Sequence, residues 1–239
     1  IEGTYSLKLT HDKNKFKNTL SYNKTYIERA VTSATNTYTN YFGFRDAINL
    51  IGEYNFNLDN KLVYGAEAEF DAARYPSDYA PAAWGYEKRL MDKPADEHIF
   101  SQYFDYQFRP LENLYSTFGL RSDEHSVVGR KTSGRTTLAY KLDKKRKIRS
   151  SFGAGIRFPS LYDYHYADGN TPSSGAGSNA AYNLEDLKAE RGISYDLGYD
   201  TYLDFLDLSL NLTYFNVEQK NPLVSDSRNN WKLKNEDGI

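Results

Sequence analysis

Leu206-Asp207-Leu208-Ser209-Leu210-Asn211-Leu212-Thr213-Tyr214 is the stretch whose reading decides the fold. Every even position is apolar and every odd one polar. A strand sends successive side chains to opposite faces, so this segment has one greasy face and one wet face. The same alternation recurs in 47–57, 61–72, 99–109, 113–121, 131–142, 147–158 and 193–203. With 26% of the chain charged, chance would scatter acids and bases over both faces. Instead the apolar-parity positions of all these segments hold no Asp, Glu, Lys, Arg or His. Glu67, Glu69, Asp71, Asp105, Arg135, Arg149, Arg157, Asp196 and Asp200 all fall on the interleaved positions. The apolar faces therefore meet a medium that excludes charge. A protein core is one such medium. Hydrocarbon is the other, where Arg or Lys at the midplane of a barrel's outer face costs roughly 2–4 kcal/mol.

Extending the pattern along the chain predicts about ten long strands, at 4–11, 16–27, 42–57, 61–74, 97–109, 113–122, 130–142, 147–158, 190–203 and 206–218. The connections alternate in length. Asp12–Lys15, Leu58–Asn60, Pro110–Glu112, Asp143–Arg146 and Asp204–Phe205 are short; 28–41, 75–96, 123–129, 159–189 and 219–230 are long. Turns on one rim and loops on the other are the layout of outer-membrane barrels. Strands of this length exceed the soluble mode of about 5–6 residues and match the roughly 9–11 of a tilted membrane crossing. The predicted fold is all-β: an antiparallel, up-and-down transmembrane β-barrel, present in part. A soluble β-sandwich would turn the same apolar faces inward, and on pattern alone it stays open.

Composition narrows the function classes. A net charge of -2 without a basic stripe argues against nucleic acid as a partner. Zero Cys removes disulfides and thiolate metal sites. No apolar run approaches the roughly 18 residues of a membrane helix, but barrel strands escape such counting because only alternate residues face lipid. The 22 Tyr and 13 Phe suit a membrane interface and are also good strand formers. No Gly-x-Ser-x-Gly, His-Glu-x-x-His or P-loop occurs, so an enzyme is not expected. The start, Ile-Glu-Gly, carries no targeting signal, and Asn-Glu-Asp-Gly-Ile ends in mid-pattern. The expectation is an internal piece, with 1–239 forming part of a single barrel domain.

Three motifs carry a family resemblance. Gly153-Ala154-Gly155-Ile156-Arg157-Phe158-Pro159-Ser160-Leu161-Tyr162 resembles the Gly-x-Gly-Phe-Arg-Ala-Pro-Ser-Leu strand end of TonB-dependent outer-membrane receptors. Asn183-Leu184-Glu185-Asp186-Leu187-Lys188-Ala189-Glu190-Arg191 is similar to their Asn-Leu-Lys-Pro-Glu segment, with Tyr195-Asp196-Leu197-Gly198-Tyr199 resembling the strand that follows. Tyr115-Ser116-Thr117-Phe118-Gly119-Leu120-Arg121-Ser122-Asp123 resembles their Gly-x-Arg-x-Asp strand end. Phe158 stands where Ala is usual, and Ala189 where Pro is usual. The resemblance implies a bacterial outer-membrane location, a barrel of about 22 strands around a plugged lumen, and energy drawn from TonB through the plug. The plug and the closing strands are expected outside this chain. The implied partners are outer-membrane lipid, TonB and a small iron- or cobalt-containing ligand: a cobalamin or a ferric siderophore, with haem third. No resident cofactor is implied. A passive porin-like channel is the rival of another class.

Candidate ligand contacts follow from the loops. Tyr79, Trp84 and Tyr86, with Tyr162, Tyr164 and Tyr166, offer rings that stack on a flat ligand, and the plainer alternative is an aromatic girdle at the headgroups. The girdle reading is preferred at strand ends, for Tyr140, Phe158, Tyr199 and Tyr214. His165 has an imidazole able to ligate haem iron, or is simply a loop histidine. Arg157 and Arg121 fall on the wet parity near the loop rim, where they would meet an anionic ligand or a plug carboxylate, or merely line the lumen. Asp96-Glu97-His98 and Asp123-Glu124-His125 offer carboxylates to a hard cation such as calcium, without a fixed ligand spacing, and no metal site is assigned. Asp143-Lys144-Lys145-Arg146-Lys147 reads as a solvated turn.

Overall fold

Period-two alternation becomes one continuous sheet. The computed structural model describes residues 1–32, 38–74, 95–161, 163, 187–226 and 232–236. Ten strands follow one another as β1 (Glu2–Lys13), β2 (Phe16–Thr32), β3 (Tyr38–Asn55), β4 (Asn60–Arg74), β5 (Ala95–Leu111), β6 (Leu114–His125), β7 (Gly129–Lys141), β8 (Arg146–Arg157), β9 (Glu190–Leu203) and β10 (Leu208–Lys220). They pair in that order, each antiparallel to the next. This is the expected up-and-down barrel wall. β1 and β10 are its edges and do not pair with each other.

The sandwich alternative fails on burial. Leu20, Leu50, Phe104, Phe118, Leu138, Phe152 and Leu212 lie on the apolar parity, and all are exposed. Among the described residues only Ala73, Leu187 and Ala189 are buried hydrophobics. Among the described residues no second sheet covers the apolar face, and no core forms on that side of the wall. The opposite face is a polar lattice. A cavity of about 560 Å³ on it is lined by Asn57, Arg109, Thr137 and Asp196. Asn57 precedes β4 and Asp196 sits in β9, so both line one space only if the sheet curls around its polar side.

Turn chemistry closes the short rim. Asn14 takes φ 56° between β1 and β2, a left-handed position that Asn tolerates. The Asp143 carboxylate accepts the N–H groups of Lys145 and Arg146, each at 2.8 Å, and the Arg146 guanidinium at 2.7 Å. These contacts, the Lys145 N–H foremost, hold the Asp143 carboxyl below the usual carboxylate range.

The loop rim differs from expectation in several places. Strands β2, β3, β5 and β6 run past their predicted ends, leaving the supposed long connection at 123–129 as only 126–128. The stretch read as loop 219–230 contains a short strand, β11 (Leu223–Asp226), which pairs with β12 (Lys232–Asn235) just beyond it. On the opposite, tight-turn rim, the connection at 204 is a 3-10 turn, Asp204–Leu206, closed by Asp207 at φ 50°.

Candidate functional site

The three sequence motifs meet at the loop rim. Arg157 ends β8, Glu190 begins β9, and the two are register partners. The Arg157 Nη1 donates to Glu190 Oε1 at 2.7 Å, and Nη2 lies 3.6 Å from Asp163 Oδ2. One guanidinium thus touches a residue near each foot of the segment 158–189. Asp163 Oδ2 also accepts the Ser160 N–H at 2.8 Å and its hydroxyl at 2.9 Å, and the Ser160 hydroxyl in turn accepts the Asp163 N–H at 3.3 Å. This reciprocal bonding has the form of a capping box.

The third motif joins through a ring. His125, at the end of β6, is buried and stacks on Phe158, with centroids 4.7 Å apart. Its Nδ1 accepts the N–H groups of Val127 and Val128, so it also closes the 126–128 turn. Pro159, next to Phe158 in sequence, is buried too. Leu187 is buried against Val128, Leu223 and Leu233, which seats the β11–β12 hairpin on the returning foot of the loop. Asn235 ties the hairpin down further, accepting the Lys188 N–H at 2.7 Å and donating to the carbonyls of Lys188 and Asn221.

Below this junction the wet face is a ladder of charge pairs. Arg121 Nε donates to Asp123 at 2.7 Å, while its Nη2 donates to Glu67 at 3.2 Å and to the Ser101 hydroxyl at 2.8 Å. The Ser101 hydroxyl in turn donates a hydrogen bond to Asp123 at 2.6 Å. The guanidinium also sits over the Tyr103 ring, 5.5 Å from its centroid. Arg45 grips Asp71 with two bonds of 2.7 and 2.6 Å and reaches Glu69 at 3.1 Å. Arg135 pairs with Asp105, and Arg149 with Asp200. Fork-shaped guanidinium contacts of this kind orient carboxylates as well as neutralising them.

Arg157 and Arg121 are the candidate ligand contacts that fall among the described residues. Tyr79, Trp84, Tyr86, Tyr162, Tyr164, His165 and Tyr166 lie outside them. Arg157 is held by carboxylates, yet 58% of its side chain stays exposed, leaving an open edge. Arg121 is held on the inner wall as the parity implied. Phe158 is not in the girdle: it lies past the last residue of β8 and packs on His125. Tyr140 and Tyr214 remain exposed on the apolar wall. The two acid–His tripeptides are split by strand alternation. Glu97 and His125 come together on the wet face at 3.3 Å, whereas His98 lies among Phe70 and Phe100, and Glu124 pairs with Arg130. Among the described residues no three His, Asp or Glu side chains gather as a metal site. Sequence reasoning did not single out Glu190, Asp163 or the His125–Phe158 stack. Glu190 and His125 carried a signal only in their places within or next to the three motifs.

Comparison with known proteins agrees with this geometry. The family model for TonB dependent receptor-like β-barrels matches residues 2–237. The ferric enterobactin receptor of Pseudomonas aeruginosa is 26% identical over 132 residues, which cover 53% of this chain and 17% of that protein. The ferrienterobactin receptor of Escherichia coli is 25% identical over 130 residues, 52% of this chain and 17% of that protein. The crystal structure of the siderophore receptor PirA from Pseudomonas aeruginosa superposes with a TM-score of 0.74 at 18% identity, covering 99% of this chain and 42% of that one. The chain thus spans well under half the length of the proteins it matches.

Proposed function

Because the chain belongs to the TonB-dependent receptor-like β-barrel family, we propose that it forms part of the wall of a bacterial outer-membrane receptor for a ferric siderophore. In this reading the exposed apolar face meets lipid and the charge ladder faces the lumen. A plug domain and closing strands come from the rest of the receptor, and TonB supplies the energy for uptake. The observation that carries the reading is the junction of Arg157, Glu190, His125 and Phe158, which roots the longest loop on the rim opposite the tight turns. Ligands of barrel transporters are captured by loops standing on a rigid scaffold. Two relatives named for ferric enterobactin favour a catecholate siderophore over cobalamin and haem. An anionic ligand also suits the open edge of Arg157, and flat catechol rings suit Tyr79, Trp84, Tyr86, Tyr162, Tyr164 and Tyr166. His165 is left as the residue that haem would need.

The test is fluorescence-detected binding to the full chain, as the cell makes it, of ferric enterobactin, cyanocobalamin and haemin in parallel. Saturable binding of the ferric siderophore at nanomolar to micromolar concentrations is expected. Saturable binding of one of the other two alone overturns the ligand class. Uptake that neither saturates nor depends on the inner-membrane proton gradient overturns the receptor in favour of a passive pore.

A further inference from the structure

Glu190 has more partners than its role beside Arg157 requires. Its side chain is buried, yet it is a carboxylate on a sheet whose other faces are wet or lipid-like. Such a group persists in burial only when its lone pairs are filled. Oε1 accepts the Arg157 guanidinium and the backbone N–H of Leu223, each at 2.7 Å. Oε2 accepts the Gln219 amide at 3.2 Å. Arg157 is the root of the segment 158–189, Gln219 stands near the end of β10, and Leu223 opens the β11–β12 hairpin. One carboxylate therefore bonds the bases of two consecutive surface loops, and the apolar contacts of Leu187 with Leu223 and Leu233 lie beside it.

We infer that Glu190 is a positioning residue that couples the feet of the segment 158–189, at Arg157–Asp163 and Leu187–Ala189, to β11 and β12, so that the bases of the two are set by one carboxylate. This rests on the reading of the loops as the capture site. A shared acceptor couples two elements because each donor it holds depends on the acceptor's place being kept by the other. Removing the carboxylate frees both loops at once. Replacing it by an amide keeps one carbonyl oxygen for Leu223, weakens the charge-assisted bond to Arg157 and turns an NH2 toward the Gln219 amide, which must flip to accept it.

The experiment is hydrogen–deuterium exchange on the full chain in lipid, for the unaltered protein, Glu190→Ala and Glu190→Gln, with the barrel's folded state checked by its heat-modifiable gel mobility. Glu190→Ala is expected to raise exchange at Ser160 and Asp163 and across 223–226 and 232–235 together. Glu190→Gln is expected to raise it at Ser160 and Asp163 while the hairpin stays protected. Ferric enterobactin affinity should fall on the order of tenfold in the alanine variant and less in the amide variant. Unchanged hairpin exchange in Glu190→Ala overturns the coupling. If that variant fails to fold, unchanged exchange at Ser160 and Asp163 in Glu190→Gln overturns it equally. The exchange pattern with no binding of any siderophore in any variant leaves the coupling standing and sinks the receptor reading.

Discussion

Placing a charge at Phe152 tests whether the apolar face lies in lipid. Phe152 is on the outward parity of β8, paired across to Thr136 of β7 and Tyr195 of β9, and 53% exposed. It lies six residues from Arg146, at the tight-turn end of β8, and five from Arg157. At about 3.3 Å per residue and a tilt of roughly 40°, that places its Cα about 15 Å above the turn end, near the middle of an apolar band roughly 25 Å tall. Phe152→Arg should therefore cost about 2–4 kcal/mol. In the folding equilibrium this is a shift of roughly thirtyfold to several hundredfold. The control is Ser151→Arg, one residue away on the wet face, where the new guanidinium faces the carboxylate of Asp196, now the partner of the Ser151 hydroxyl. A wet-face charge beside an acid should change stability by less than about 1 kcal/mol. Reversible urea unfolding of the full chain from lipid vesicles, followed by tryptophan fluorescence, reads both. Equal costs at 151 and 152 would refute the assignment of the two faces.

Three further outcomes follow from the wet face and the turns. Arg121→Ala removes the cation beside Asp123, whose side chain is 8% exposed and keeps the Ser101 hydroxyl; because Arg121 is itself 40% exposed, the loss is discounted to about 1–2 kcal/mol, and Arg121→Lys recovers only part of it because one ammonium cannot span Asp123, Glu67 and Ser101. Gly65→Ala places a methyl 2.8 Å from the Leu50 carbonyl and inside the Tyr103 ring, so it should cost about 1–3 kcal/mol, whereas Gly119→Ala meets chiefly the movable end of Asp105 and should cost less; a reversed order in the same unfolding assay counts against the register of β3–β6. The Asp143 turn has a depressed carboxyl, so what it contributes is present above the ordinary Asp pKa and is lost as pH falls through the lower folded value; the protection of the Lys145 and Arg146 amides, relative to their unstructured exchange rates at each pH, should fall in that acid range and stay constant from there to neutrality.

The sheet was legible because its period is two and its two media differ so sharply. Leu206–Tyr214 alone shows which side of β10 avoids charge, and each of the ten expected strands is found. The ends of the strands were less legible: backbone pairing continues past the apolar band wherever a partner strand exists, as in β2, β3 and β5. The β11–β12 hairpin was missed for another reason. Its four-residue strands carry too few apolar positions for alternation to register, and Leu223 and Leu233 are seated by Leu187 and Val128 from distant parts of the chain. Arg157 could be assigned to the wet face from parity. Its partner Glu190 lies 33 residues on, and only the β8–β9 register brings them together. The acid–His tripeptides put acids and imidazoles side by side in sequence, but a strand throws neighbouring side chains to opposite sides, so only the β5–β6 register brings Glu97 to His125.

The grip of Arg157 on Asp163 and Glu190 separates the length of the segment between them from the stability of the wall. The contacts of Arg157 involve Asp163 on one side and Glu190 on the other, and no residue between Asp163 and Leu187 takes part in them. A change in the number of residues between these feet therefore leaves both contacts in place. On the proposed reading, such a wall would exchange the insert it carries while the socket that receives it keeps its shape.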